Sequence, residues 1–287
     1  MKPENRALRA EALDVRYGER QVIADLALTI THGGITALVG PNGSGKSTLL
    51  KTLARLLKPS AGAVYLDGAA ISRLPSAVVA REIAILPQGP VAPAGLTVGE
   101  LVEQGRYPHA GPLRMLRRQD YATIAEALEL TGMVGFAGRP LDSLSGGERQ
   151  RAWIALALAQ ATPILLLDEP TTFLDIGHQL EVLDLVRRLN VERGMTIVLV
   201  LHDLNQAARY AGRMVVLNEG KIVADGAPSA VLTPGLLAQV FGVRANIIMD
   251  PASRTPVCLP YACIEPATDG GTSMKGEINA MGHNEKS

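Results

Sequence analysis

The segment Gly40-Pro41-Asn42-Gly43-Ser44-Gly45-Lys46-Ser47-Thr48 constrains this chain more than any other. A short apolar run, Ile35 to Val39, leads into it, and residues with helical spacing, Ser47 to Leu57, come after it and stop before Pro59. Strand, glycine-rich turn and helix in that order begin an α/β unit. Glycine, four residues, then Gly-Lys-Ser is the phosphate-loop pattern. Glycines allow backbone turns that a side chain would obstruct, and the exposed N–H groups with the helix N-terminus cradle an anion. Lys46 brings a mobile positive charge to β- and γ-phosphates. The Ser47 hydroxyl suits Mg²⁺, and that of Thr48 suits another phosphate. The segment therefore predicts nucleotide binding.

The rest of the chain extends the α/β reading. Leu8 to Arg16 and Val22 to Ile30 alternate as half-buried strands around a turn at Tyr17–Arg20. From about Leu96 to Leu144 the patterns are mainly helical, broken by Pro108, Gly111 and Pro112. From Gly146 on, α/β alternation returns: a helix to about Gln160, a strand Ile164–Leu167, a helix Gly177–Glu192, a strand Thr196–Leu201 and a helix Asp203–Ala211. A hairpin then turns around Asn218-Glu219-Gly220, and Asn246 to Ile264 reads as two short strands. Short apolar runs between amphipathic helices imply a mainly parallel sheet covered on both faces.

A second site is acidic. The strand Ile164–Leu167 ends in Asp168-Glu169-Pro170, which brings two carboxylates to the edge of the sheet where α/β ligands bind. Asp168 is expected to orient Mg²⁺ and Glu169 to polarise the attacking water as a general base. Alone, an Asp-Glu pair at a strand end reads as a solvated turn; beside a phosphate loop it reads as chemistry. Gln88 and His202 also come after strands, Ile83–Leu86 and Thr196–Leu201. His202 is placed to bond a γ-phosphate or the attacking water, although Asp203 beside it suits a plain helix cap. Leu144-Ser145-Gly146-Gly147-Glu148 fits a capping box and also leaves amides open to an anion. The chain thus has two anion-ready helix starts and one lysine.

These motifs, in this order, resemble the ATP-binding cassette (ABC) ATPases over about residues 8–242: the phosphate loop, Gln88, Leu-Ser-Gly-Gly-Glu at 144–148, Leu-Asp-Glu-Pro at 167–170, Leu-Asp at 174–175, and His202. The resemblance implies a P-loop NTPase fold of the ABC type: a mainly parallel core sheet, an antiparallel β region and an inserted helical subdomain. It implies that Tyr17 stacks on adenine, that Gln88 touches the metal or water and senses the transport partner, and that Asp175 lies at a dimer contact. It also implies that Ser145, Gly146 and Gly147 bind the γ-phosphate of ATP held by a second copy. ATP and Mg²⁺ are then the cofactors. The partners are a second cassette packed head to tail, a polytopic membrane permease and, indirectly, a substrate-binding protein. The expected place is the cytoplasmic face of the membrane.

The segments Gly105–His109, Thr171–Leu185 and Leu201–Tyr210 look like the ATPases of bacterial iron-siderophore importers, although that family usually has tyrosine where this chain has Phe173. Haem and cobalamin importers are close relatives and remain the alternative cargo. If so, residues 89–118 face the permease, and Arg114, Arg117 and Arg118 lie near anionic lipid or form a solvated basic helix end. The expected division is an ATPase domain at 1–242 with its helical subdomain at about 96–146, a β extension at 243–264 and a disordered tail at 265–287.

Composition removes other classes. Lysine plus arginine and aspartate plus glutamate both number 28, which argues against a main task of gripping nucleic acid. One Trp, six Tyr and three Phe leave little for base stacking. No apolar stretch reads as a span, which excludes an exporter half-molecule, and no apolar signal core comes after the N-terminus. Cys258 and Cys263 are too few for structural zinc or a disulfide-built fold, so a reducing compartment is expected. A soluble ABC-type ATPase of DNA repair or translation stays as the alternative of another class; such proteins usually carry long coiled-coil insertions, zinc modules or two cassettes, and none is visible in the sequence. A small-molecule kinase would give the Leu-Ser-Gly-Gly-Glu segment no role.

Overall fold

The computed structural model describes residues 6–110 and 116–264, with Arg6 by its backbone alone. Two sheets share the work. The antiparallel sheet is built from β1 (Arg6–Tyr17), β2 (Arg20–Thr31), β4 (Ala61–Leu66) and β5 (Ala69–Ala70), in the order β2-β1-β4-β5. The six-stranded sheet takes β3 (Ile35–Val39), β6 (Ile83–Leu86), β7 (Ile164–Asp168), β8 (Thr196–Val200), β9 (Arg213–Asn218) and β10 (Lys221–Gly226), in the order β10-β9-β3-β8-β7-β6. All its pairings are parallel except β10 with β9.

The apolar strands are buried on both faces, and their alternation splits two cores. Ala37 and Val39 of β3, Leu165 and Leu167 of β7, and Ile197 and Leu199 of β8 point to one core. Leu38, Ile164, Leu166, Val198 and Val200 point to the other. A two-residue side-chain period sends neighbours to opposite faces, which is why these strands read as unbroken apolar runs. The first core is covered by α5 (Gly146–Ala159), α6 (Ile176–Arg193) and α7 (Leu204–Tyr210). The second is filled by α1 (Lys46–Leu53), through Leu49, Leu50 and Leu53, and by the inner face of the antiparallel sheet.

Between β4 and the core strand β6 lies the short helix α2 (Ser76–Glu82). The expected helical stretch is present as α3 (Val98–Gln104) and α4 (Arg118–Leu130), which pack on α5. Arg106, 6% exposed, ties the connection between them down. Its Nε and Nη2 each lie 2.9 Å from Asp120 Oδ1, and Nη1 donates to the Ala159 carbonyl at 2.8 Å. The C-terminal part carries α8 (Pro228–Val231), α9 (Pro234–Phe241) and a hairpin of β11 (Val243–Met249) and β12 (Pro256–Cys263). Asn205 of α7 pins that hairpin, exchanging hydrogen bonds with the N–H and carbonyl of Cys258.

The helix after the phosphate loop ends at Leu53, four residues short of the expected Leu57. Arg55 adopts a left-handed backbone at φ 59°, and the Leu56 N–H folds back to the Lys51 carbonyl at 2.8 Å. Arg55 Nη1 reaches the Leu74 carbonyl at 2.7 Å, so a tertiary bond holds a turn that apolar spacing alone reads as helix. The expected tail at 265–287 and Arg114 lie outside the described residues.

Candidate active site

The phosphate loop hangs between the end of β3 and the start of α1, and close backbone approach fixes its shape. A Cβ at Gly40 (φ 147°) would sit 2.0 Å from the Leu217 carbonyl oxygen, so only glycine lets the loop pass the end of β9. Gly45 enters α1 in a left-handed conformation (φ 102°) with no capping side chain. The Gly220 N–H donates to the Ser44 carbonyl at 3.1 Å, which joins the loop to the β9–β10 turn. Pro41 is half-buried, Asn42 and Gly43 are exposed, and Ser44, Gly45 and Thr48 are buried.

Lys46 is 5% exposed. Its ammonium donates to the carbonyls of Gly40 at 2.9 Å and Pro41 at 2.8 Å, and reaches Ser44 Oγ at 3.5 Å. Burial lowers its pKa, and Glu169 and Asp168 oppose that shift through their charge. The lysine therefore lies within the field of both acidic residues.

Ser47 and Asp168 are 121 positions apart in the chain, yet Ser47 Oγ donates to Asp168 Oδ1 at 2.7 Å. Parallel strands make this meeting. β3 and β7 both pair with β8 in the same direction, so the loop after β3 and the last residue of β7 emerge on one edge. Asp168 is 1% exposed, and its Oδ2 is buried with no hydrogen-bond partner among the described residues. Burial raises its pKa, and the Ser47 bond works against that. A buried carboxylate oxygen left unpaired beside a hydroxyl is a hard-oxygen donor set, which fits Mg²⁺.

Glu169 is the meeting point of the site. Its backbone is left-handed, φ 53°. His202 Nε2 lies 2.6 Å from Oε1; Gln88 Nε2 donates to Oε2 at 2.5 Å, and Thr172 Oγ1 donates to Oε2 at 3.1 Å. Both carboxylate oxygens are thus oriented by groups from the ends of β6 and β8 and from the turn after β7. Gln88 and His202, expected near metal, water or phosphate, both touch the Glu169 carboxylate. Thr172 was not picked out by sequence reasoning. Its spacing, three residues after Glu169, was the available signal, but the tight turn that aims it depends on left-handed backbones at Glu169 and Phe173.

The remaining residues lie farther out. Ser145 caps α5: its Oγ accepts the Glu148 N–H at 3.3 Å, and Glu148 Oε2 accepts the Ser145 N–H at 2.8 Å. Gly146 is exposed and Gly147 buried. Gly146, Gln88, Asp168 and Glu169 line one cleft of about 260 Å³, together with Trp153 and Phe173. Asp175 caps α6 through the His178 N–H at 2.9 Å and is largely exposed. Tyr17 ends β1 with half its surface free, at 51% exposure. Arg117 and Arg118 stand at the start of α4, where the Arg117 N–H donates to Asp120 Oδ2 at 2.7 Å.

Comparison with known proteins agrees with this geometry. The ABC transporter family model matches residues 23–172. The iron(3+)-hydroxamate import ATP-binding protein FhuC of Bacillus subtilis (strain 168) is 51% identical over 259 residues, covering 90% of this chain and 96% of that protein. A solved ABC transporter of the metal-chelate type, in an inward-facing conformation, superposes with a TM-score of 0.78 at 30% identity, covering 90% of this chain and 98% of that one. The dimeric structure of MJ0796, a bacterial ABC transporter cassette, does so with a TM-score of 0.69 at 31% identity, covering 77% and 98%. Phosphate loop, paired acids, oriented glutamate and these likenesses lead to one conclusion: the chain belongs to the ABC transporter family and is an ATP-binding, ATP-hydrolysing subunit.

Proposed function

We propose that this ATPase couples ATP binding and hydrolysis to the uptake of an iron(III)-siderophore complex through a membrane permease. The observation that carries the catalytic part is Glu169, held at both oxygens by His202, Gln88 and Thr172 beside the Ser47–Asp168 pair. The cargo rests on similarity: the 51% identical relative is an iron(3+)-hydroxamate importer subunit. A haem or cobalamin importer is the alternative cargo.

In this reading the loop 40–48 binds the ATP phosphates, Lys46 moves from the loop carbonyls to the β- and γ-phosphates, and Tyr17 packs on the adenine. Ser47, Asp168 and Gln88 would hold Mg²⁺, which when bound offsets phosphate charge. Among the described residues no group of three His, Cys, Asp or Glu is set to cage a metal, which suits an ion held chiefly by one carboxylate, a hydroxyl and the substrate. Glu169 accepts a proton from the attacking water, and His202 and Gln88 keep its lone pairs aimed. Ser145, Gly146 and Gly147 complete the site of a second copy, and Asp175 lies at the contact. The dimeric cassette relative supports pairing of two copies. Only a closed pair makes both sets of phosphate contacts, so ATP favours closure and hydrolysis releases it.

No helix among the described residues is long and apolar enough to cross a membrane. Attachment to the cytoplasmic face through the permease is therefore part of the proposal, with residues 89–118 on the docking side. So is the division into an ATPase domain at 1–242, a helical subdomain at about 96–146 and a β extension at 243–264. The test is uptake of radiolabelled iron chelates in cells lacking the gene, complemented by the wild type or by Lys46→Ala. Loss of one ferric-siderophore uptake, restored only by the wild type, supports the proposal. Unchanged uptake across a broad chelate panel moves the cargo elsewhere.

A further inference from the structure

Two side chains at the entry to α6, Leu174 just before its cap and His178 in its first turn, rest on the 145–147 loop. A Cβ at Gly147 would lie 2.5 Å from His178 Cδ2 and 2.7 Å from His178 Cγ, so the imidazole fills the space a side chain there would take. One position earlier, a Cβ at Gly146 would lie 3.6 Å from Leu174 Cδ2. The two glycines thus sit on residue 174, just before the α6 cap, and residue 178, in its first turn.

The same imidazole is fixed on its other side. His178 Nδ1 lies 2.9 Å from Asp175 Oδ2, while Asp175 Oδ1 accepts the His178 N–H, also at 2.9 Å. The segment beneath is anchored in turn. Gln179 Nε2 donates to the Leu174 carbonyl at 2.9 Å, and Gln206 Nε2 of α7 donates to Gln179 Oε1 at 2.6 Å. One ring therefore bridges Gly147 of the 145–147 loop and the carboxylate that caps α6, on a base tied to the core. A plain helix cap needs only the Asp175 carboxylate and a backbone N–H; the ring's seat on Gly147 goes beyond that requirement.

We propose that His178 is a positioning residue for ATP turnover: its ring holds the Ser145–Gly147 loop in register with Asp175, so that the two surfaces this copy offers to its partner move as one body. The inference rests on the two-copy reading above. The hydrogen bonds of His178 go to Asp175, and its ring seats Gly147; it acts through these two.

The test uses the full-length chain carrying Glu169→Gln, with MgATP as probe. It reads ATP-dependent dimerisation by sedimentation velocity and single-copy nucleotide binding with a fluorescent ATP analogue. With His178→Ala, the ATP needed for half-dimerisation rises about tenfold, the loss expected for one charge-assisted contact. Single-copy nucleotide affinity stays within about twofold, and Tm within the few degrees of a surface change. His178→Asn, whose amide N–H takes the place of Nδ1, recovers most of the dimerisation. Unchanged dimerisation in His178→Ala, an equal loss of single-copy binding, or no recovery with Asn would overturn the inference. Gly147→Ala gives a second reading: alone it weakens dimerisation, whereas with His178→Ala the added methyl has room and the combined loss is smaller than the sum. Additive losses reject the ring–glycine contact. A Glu169→Gln parent that stays monomeric with ATP removes the two-copy reading and this inference with it. A parent that dimerises but ignores residue 178 removes the inference alone.

Discussion

Two helices of this chain open on glycine loops, and they are finished in opposite ways. α1 starts after a left-handed Gly45, with no capping side chain and no acidic residue in its first turn. α5 starts after Ser145 in a complete capping box with Glu148. A helix that carries its own carboxylate at N3 has its first amides partly satisfied and its dipole partly answered, whereas one without it keeps both free for an anion. The α1 loop is held instead from behind, by the Gly220 N–H on Ser44 and the Lys46 ammonium on Gly40 and Pro41. In the reading proposed above, the difference separates a helix start that binds substrate in its own copy from one that is stable without it and has its open side available to a second copy.

The largest effects test that separation at the lysine and the base. Lys46→Ala is expected to abolish detectable ATP turnover, at least about 100-fold down, by removing the cation that answers the phosphates. The readout is phosphate release by the full-length chain. Glu169→Gln should bind ATP with affinity near the wild type and hydrolyse it about 100-fold or more slowly. Near wild-type turnover there would reject Glu169 as the base.

A smaller effect probes the other helix. Ser145→Ala is expected to cost about 1 kcal/mol of folding stability, the usual loss for an N-cap. Its denaturation midpoint should fall while single-copy nucleotide binding stays unchanged. Reduced binding in the isolated copy would erase the contrast between the two helix starts.

The smallest effects are pH-dependent and have opposite signs. Hydrogen bonds from Ser145 hold the Glu148 carboxyl below the usual range, so its cap contributes stability at neutral pH and loses it as the pH falls through that depressed value. Burial pushes the Asp168 carboxyl up, so its charge costs stability at neutral pH, and the cost vanishes once the pH drops below the ordinary aspartate value. Asp168→Asn should therefore raise the Tm of the nucleotide-free chain near pH 7, with the gain shrinking on acidification. Glu148→Gln should lower it near pH 7 and converge on the wild type in acid. Parallel pH profiles for the two variants would contradict these assignments.

Much of the fold was legible from local pattern. Ile35–Val39, Ile164–Leu167 and Thr196–Leu201 were readable as buried strands because strands buried on both faces leave unbroken apolar runs. β4, α2, α8 and α9 leave no clear local signal, because segments such as Ala61–Leu66 and Pro228–Val231 are too short to show a period. The end of α1 was overread, because the Arg55 bond to Leu74 that turns the chain spans 19 positions and leaves no local trace.

The sequence by itself determined the chemical inventory: the phosphate loop, the acidic strand end, the second glycine loop, and the order that identifies the family. Spacing can do this because glycine turns, helix starts and strand ends are local properties of the backbone. Tertiary structure alone decided which groups meet. It put Ser47 against Asp168, turned Gln88 and His202 onto Glu169, added Thr172, and seated His178 on Gly147. Those meetings depend on parallel strands opening on one edge and on left-handed turns at Glu169 and Phe173. A side chain's partner across the fold is set by strand order and backbone dihedrals, which residue spacing does not encode.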